Sequence, residues 1–191
     1  MSMRQSREEK AKTHDRIVEI AAERIREQGI DGPAVAEIMQ AAGLTHGGFY
    51  KHFGSRDDLV AEAADRAFAE GERAVHEVID DAPDPLGAFV DWYVSARHRD
   101  NPGSGCPVAA LGAGVRRGDE RVRTAYRNQV ERYLADLEGL LGGESARTRA
   151  TVALSTLVGS IVLARAVDDD ALSEEILRDV RAALRQAPAA T

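Results

Sequence analysis

Residues 45–53 read Thr-His-Gly-Gly-Phe-Tyr-Lys-His-Phe, a run rich in hydrogen-bond donors with no carboxylate. Phe49 and Phe53 stand four apart, so on a helix they anchor one face and leave Tyr50, Lys51 and His52 on the other. Gly47 and Gly48 have no side chain to hold another backbone away. Two glycines in so short a helix cost about 1 kcal/mol each relative to alanine, which calls for a reason. A surface of this kind suits a nucleic acid. Thr45, His46 and Gly47 would face base edges, and Tyr50, Lys51, His52 and the following Arg56 would donate to phosphates. The competing reading is a plain helical hairpin in which Gly47 and Gly48 form a loop.

The sole cysteine, Cys106, precedes Pro107, a residue suited to the first position of a helix. A thiol at a helix N-terminus, with Arg97, His98 and Arg99 a few residues earlier, is expected to ionise below the usual range and to react with oxidants or electrophiles. The alternative is a small, buried core residue. Phe89, Trp92, Tyr93 and Tyr126, with Tyr133, hold most of the aromatic surface of the later chain. They form either an ordinary core or an apolar cleft suited to a small organic ligand. The histidines are His14, His46, His52, His76 and His98, and no two have the H-x-x-x-H spacing of a metal site, so no metal or other cofactor is expected. Cys106 and His98 lack a third, orienting group, which argues against a thiol-dependent enzyme.

The elements that must position these residues are helical. Val35, Ile38, Met39 and Ala42 form an apolar stripe at i, i+3, i+4, i+7, with Pro33 at the helix's first position and Gly43 as its left-handed stop. Thr45 is the N-cap candidate for a second short helix, His46 to Phe53. Two short helices, a turn with glycine and a polar second helix make a helix-turn-helix. A first helix, Ser6 to Gln28, buries Ile17, Val18, Ala21, Ala22 and Ile25. Ser6 and Glu9 form a capping-box pair, and Arg4, Arg7, Lys10 and Lys12 either reach phosphate or belong to a solvated face. Ser55 caps a long helix reaching about Asp80, and Asp84-Pro85 starts a fifth, closed by Arg97-His98-Arg99. A sixth begins at Pro107 and ends near Val115, and a seventh runs from Asp119 to the Gly142-Gly143 stop. The eighth and ninth cover about 145–167 and 172–186. Paired with their copies, the last two would form a four-helix bundle; otherwise they complete a monomer core.

Strand-like alternation is absent, so the fold class is all-α, with about nine helices. Residues 1–56 carry nine Lys/Arg against eight Asp/Glu, whereas residues 57–191 carry 16 against 24. Acid on the later body repels a polyanion, which leaves the first segment as the docking surface. No run of 18 uncharged apolar residues predicts a membrane span, and no apolar leader follows the N-terminus. With one cysteine there is no internal disulfide, which fits a cytoplasmic protein.

Gly29, Val35, Ile38, Ala41-Ala42-Gly43-Leu44, Gly47, Phe49-Tyr50, His52-Phe53, Ser55-Arg56 and Leu59 together resemble the TetR family of transcriptional regulators over about residues 13–60. The resemblance implies a DNA-binding domain at 1–54 and an effector-binding and dimerisation domain at 55–191. It also implies a homodimer on double-stranded, palindromic operator DNA, usually repressing, with the long helix after Ser55 as the lever between effector and DNA. Pro33 and Ala34 stand where the family often has hydroxyl residues. His46 and Gly48 replace a common Lys and Thr, so no operator sequence follows. Ser104-Gly105-Cys106 and the small-residue helix after it are similar to the NemR-like, electrophile-sensing branch, which implies an electrophilic effector. The competing functions are a dimeric ligand-binding module without DNA binding, and the thiol enzyme disfavoured above.

Overall fold

Helix α1 (Met3–Gln28) opens a chain whose regular elements, among the described residues, are all helical. The computed structural model describes the backbone of residues 3–186 and the side chains of residues 7–186. The first helix was expected to start at a Ser6–Glu9 capping box; it starts at Met3, so Ser6 lies inside α1 and does not cap it. The role expected of Arg4 and the two chain ends lie outside the described residues. After α1 come α2 (Val35–Ala41), a 3₁₀ segment (His46–Lys51) and the long α3 (Arg56–Ile79). The body continues with α4 (Pro85–Tyr93), α5 (Ala96–Asp100), α6 (Pro107–Leu111), α7 (Glu120–Leu141), α8 (Ala146–Ala166) and α9 (Asp170–Gln186).

The helix starts follow from local chemistry. Ser55 accepts from the Asp58 N–H, Asp84 from Gly87 and Asp119 from Val122, each satisfying a donor that the first turn leaves free. Pro33, expected at the first position of the second helix, lies ahead of its Ala34 N-cap. Two expectations for the body helices needed correction. The predicted fifth helix breaks at Val94–Ser95, because Ser95 is extended and caps a new helix by accepting from the His98 N–H at 3.1 Å. Arg97, His98 and Arg99 therefore form α5 rather than closing α4. The predicted sixth helix stops at Leu111, and Val115–Arg117 forms a separate 3₁₀ turn.

Two apolar cores result. The first joins Ile17, Ala21 and Ile25 of α1, Ile38 and Met39 of α2, Phe49, Phe53 and the early part of α3, closed by Leu111, Val115 and Val122 from the body. The second gathers Val75 of α3, Phe89, Val90 and Tyr93 of α4, Tyr133 and Leu137 of α7, and Leu154, Leu157 and Ile161 of α8. Helix α3 therefore contributes side chains to both cores. Helix α8 is long and apolar enough, by length and composition, to cross a membrane. Its Leu154–Leu157–Ile161 face is packed into the bundle, but Val152, Leu163 and Val162 remain 60%, 56% and 46% exposed.

Candidate nucleic-acid interface and effector region

The turn before the polar segment is closed as expected. Gly43 lies at φ +71°, and the N–H of Leu44 donates back to the Met39 carbonyl at 2.8 Å, a Schellman-type stop. The segment itself differs from expectation: it is a 3₁₀ helix over His46–Lys51, not an α-helix to Phe53. Its length and two glycines explain this, since 3₁₀ bonding is the usual solution for one or two turns. Thr45 occupies the N-cap, yet its hydroxyl makes no cap bond; its carbonyl accepts from Gly48 at 2.9 Å. Phe49 and Phe53 are buried and stacked with centroids 5.4 Å apart, pinning the segment to the first core.

Thr45, His46, Gly47, Tyr50 and Lys51 are exposed, Tyr50 by 73%. A side chain on Gly47 would meet nothing within 4 Å, and one on Gly48 only an ordinary contact with Met39. Internal packing therefore gives no reason for either glycine.

Two residues expected among the phosphate donors are placed differently. Arg56 turns inward and donates to the Ile30 carbonyl at 2.8 Å, tying down the α1–α2 connection. His52 is half-buried, 6.0 Å from the ring of His14, and its Nδ1 is buried without a partner. Burial, then the positive charges of His14, Lys10 and Lys51, lowers its pKa. The start of α7 is tied to the same unit: Arg121 pairs with Asp58 at 2.9 Å, and Arg117 with Asp31 at 2.7 Å.

The expected aromatic group divides. Phe89, Trp92 and Tyr93 cluster in the second core, with centroids 5.7 to 6.2 Å apart. Tyr126 lies apart, packed edge-on against Phe68 and donating to the Val108 carbonyl at 3.1 Å. Trp92 lines an open cleft, a 440 Å³ cavity between α3 and the α4–α5 corner, together with Glu77, Ser95, Arg97 and His98.

His98, read from the sequence as a basic neighbour of Cys106, has a structural role that the sequence reading missed. It is buried, stacks on Trp92, and its Nδ1 contacts the Tyr93 carbonyl at 2.7 Å. Its Nε2 accepts from the Cys106 N–H at 2.8 Å, so the proton sits on Nδ1. Burial lowers its pKa to about 4, partly opposed by the Tyr93 carbonyl. The signal that pointed to it was Ser95, a cap residue three positions upstream.

Cys106 sits at the N-cap of α6 as expected, but the thiol chemistry differs. The side chain is buried against Tyr93, and that burial raises the thiol pKa, outweighing stabilisation from nearby N–H groups. The Tyr93 hydroxyl is buried beside the thiol and partly opposes that rise.

A family model described as "Bacterial regulatory proteins, tetR family" matches residues 17–63. An HTH-type transcriptional regulator of Mycobacterium tuberculosis is 30% identical over 167 residues, 79% of this chain and 83% of the relative. The HTH-type transcriptional repressor DhaR of a Mycobacterium species is 24% identical over 76% of this chain and 75% of its own. Among solved structures, reduced NemR of E. coli superposes with a TM-score of 0.77 at 20% identity, covering 94% of this chain and all of the other (100%). A TetR-family regulator from Agrobacterium tumefaciens gives 0.78 at 22% identity, covering 91% and 98%. With its all-α fold, its helix-turn-helix and these relatives, the chain belongs to the TetR family and is a DNA-binding transcriptional regulator, not an enzyme.

Proposed function

We propose that this regulator works in the cytoplasm as a homodimeric repressor on a palindromic operator, and that a small organic effector releases it. The observation that carries the reading is the exposed, carboxylate-free run Thr45–Lys51, held from behind by Phe49 and Phe53. Residues 1–54 act as the DNA-binding unit and residues 55–191 as the effector and dimerisation unit. Thr45, His46 and Gly47 face the bases, while Tyr50 and Lys51 hold phosphates. The uncovered apolar side of α8, continued by exposed Leu172 on α9, is the surface that a second copy covers. Such a dimer sets its half-sites one helical turn, about 34 Å, or a multiple apart.

The effector site is the 440 Å³ cleft floored by Trp92, which has the size and mixed lining of a small-molecule site. Release works by population shift, the effector favouring a half-site spacing that does not fit DNA. An effector acting by thiol modification at Cys106 would first have to open the core around α6, so reversible binding is the favoured route.

Selection of bound sequences from random duplexes, followed by mobility shift and sedimentation, tests the reading. A palindrome bound by two chains is the expected result, with affinity falling steeply as salt rises. A monomer at micromolar concentration, or indifference to every duplex, overturns it.

A further inference from the structure

A 200 Å³ cavity lies at the edge of the second core, where α4, α7, α8 and α9 meet. Each of these helices gives it hydrocarbon: Val90 from α4, Leu141 from α7, Leu157 from α8 and Leu184 from α9. Val90 and Leu157 are buried members of the core, whereas Leu141 and Leu184 stay only partly buried beside it. Protein interiors are close-packed, so a gap walled by large apolar side chains leaves each of them short of partner atoms. Among the described residues, none lines both this cavity and the Trp92 cleft.

The lining also fixes what the cavity rejects. Arg149 borders it, but its guanidinium donates to the Leu141 carbonyl at 3.2 Å and to the Gly142 carbonyl. It thereby caps the end of α7, where a cation is favoured, and is not free to meet an anion. Thr148 adds one hydroxyl, on an exposed residue. An apolar void of about 150 Å³ stays dry and takes up benzene, so this one has room for a slightly larger ring. It is also within reach of solvent, since Val152 in its wall is 60% exposed.

We propose that this cavity binds a compact, uncharged aromatic hydrocarbon of the size of toluene or ethylbenzene. The four helices supply the missing partner atoms of one another's side chains through the ring, and a charged substituent finds no free counter-charge there. The site needs neither operator DNA nor an effector at Trp92.

Calorimetric titration of the full chain without DNA, using toluene and benzoate, tests this. Saturable binding of toluene is expected, at least about tenfold tighter than benzoate, whose carboxylate would lose its water without gaining a partner. Ala153, buried in the cavity wall, provides the control for location. Ala153→Leu fills the void with an isobutyl group and is expected to weaken toluene binding at least about tenfold. Should that variant fail to fold, Leu184→Ala, which widens the void, is expected to raise the affinity for naphthalene relative to toluene by about tenfold. Absence of toluene binding, the result if a side chain of the second copy already fills the cavity, would overturn the proposal. So would benzoate binding as tightly as toluene, which would mean that Arg149 leaves its carbonyls for the ligand. Toluene affinity unchanged in a folded Ala153→Leu variant, or an unchanged naphthalene preference in Leu184→Ala, would overturn it equally.

Discussion

Around residues 45–53 the chain buries two phenylalanines and shows its polar groups; around residues 93–106 it buries polar groups together with its rings. Both regions are short, irregular helices organised by a stacked pair: Phe49 on Phe53 in one, Trp92 on His98 in the other. In the first, the side chains of Thr45, His46, Tyr50 and Lys51 make no hydrogen bond among the described residues. In the second, both ring nitrogens of His98 and the N–H of Cys106 are already engaged, and the thiol is buried. Polar residue type alone does not make a binding group. What decides is whether the chain's own backbone has claimed it first, and Arg56, spent on the Ile30 carbonyl, shows the same rule inside the first region.

The most severe way to break this contrast is to remove the ring that turns the first region outward. Phe49→Ala is expected to cost about 3 to 5 kcal/mol of stability, the usual range for emptying a buried aromatic site. Tyr50→Ala, one residue away and mostly exposed, is expected to cost less than about 0.5 kcal/mol. Urea unfolding of the two variants checks the pair, and similar losses would refute the assigned orientation.

The next effect belongs to the second region. An unfolded chain protonates His98 near pH 6.5, whereas the folded one resists until about pH 4. Between those values the unfolded state binds the extra proton, so this contribution is fully present above pH 6.5. It is lost as pH falls towards 4, by about 3 kcal/mol in all. His98→Asn keeps a donor for the Tyr93 carbonyl in place of Nδ1 but does not titrate. Its stability is expected to vary less with pH over that window, which paired unfolding titrations will show. In the same region, alkylation of Cys106 is expected to run about a hundredfold slower in the native protein than in the denatured chain, because it waits on local opening.

The helix caps and the turn were legible in the sequence because their causes are local. Ser55, Asp84, Asp119 and Gly43 each act within three or four residues. The polar face of 45–51 was legible for the same reason, since two phenylalanines four apart orient what lies between them. What could not be read was decided at long range. Arg56 finds its carbonyl 26 residues away, and His52 loses exposure to the neighbouring His14 of α1. The sequence left Cys106 open between a reactive thiol and a core residue, because a helix N-terminus is a local feature, whereas burial under Tyr93 is not. Ser95 lies between these cases. Its capping role was readable from type, but the break it causes depends on His98 finding a buried place. Ser95→Ala is accordingly expected to cost about 1 kcal/mol, measurable as a drop in the denaturation midpoint.

The smallest expected effect is also the one that most sharpens the contrast. Lys51 is exposed and makes no hydrogen bond among the described residues, so Lys51→Ala should leave folding stability unchanged within about 0.5 kcal/mol. On DNA, the loss of one phosphate contact should weaken binding several-fold and equally for every operator variant. It should also reduce the slope of log affinity against log salt by about one. An Arg56→Ala variant should behave in the opposite way: it loses stability because the Ile30 carbonyl loses its donor, while the salt slope stays the same. A slope that falls for Arg56→Ala and not for Lys51→Ala would exchange the roles of the two residues. It would show that the inward-turned guanidinium leaves its carbonyl when the duplex arrives.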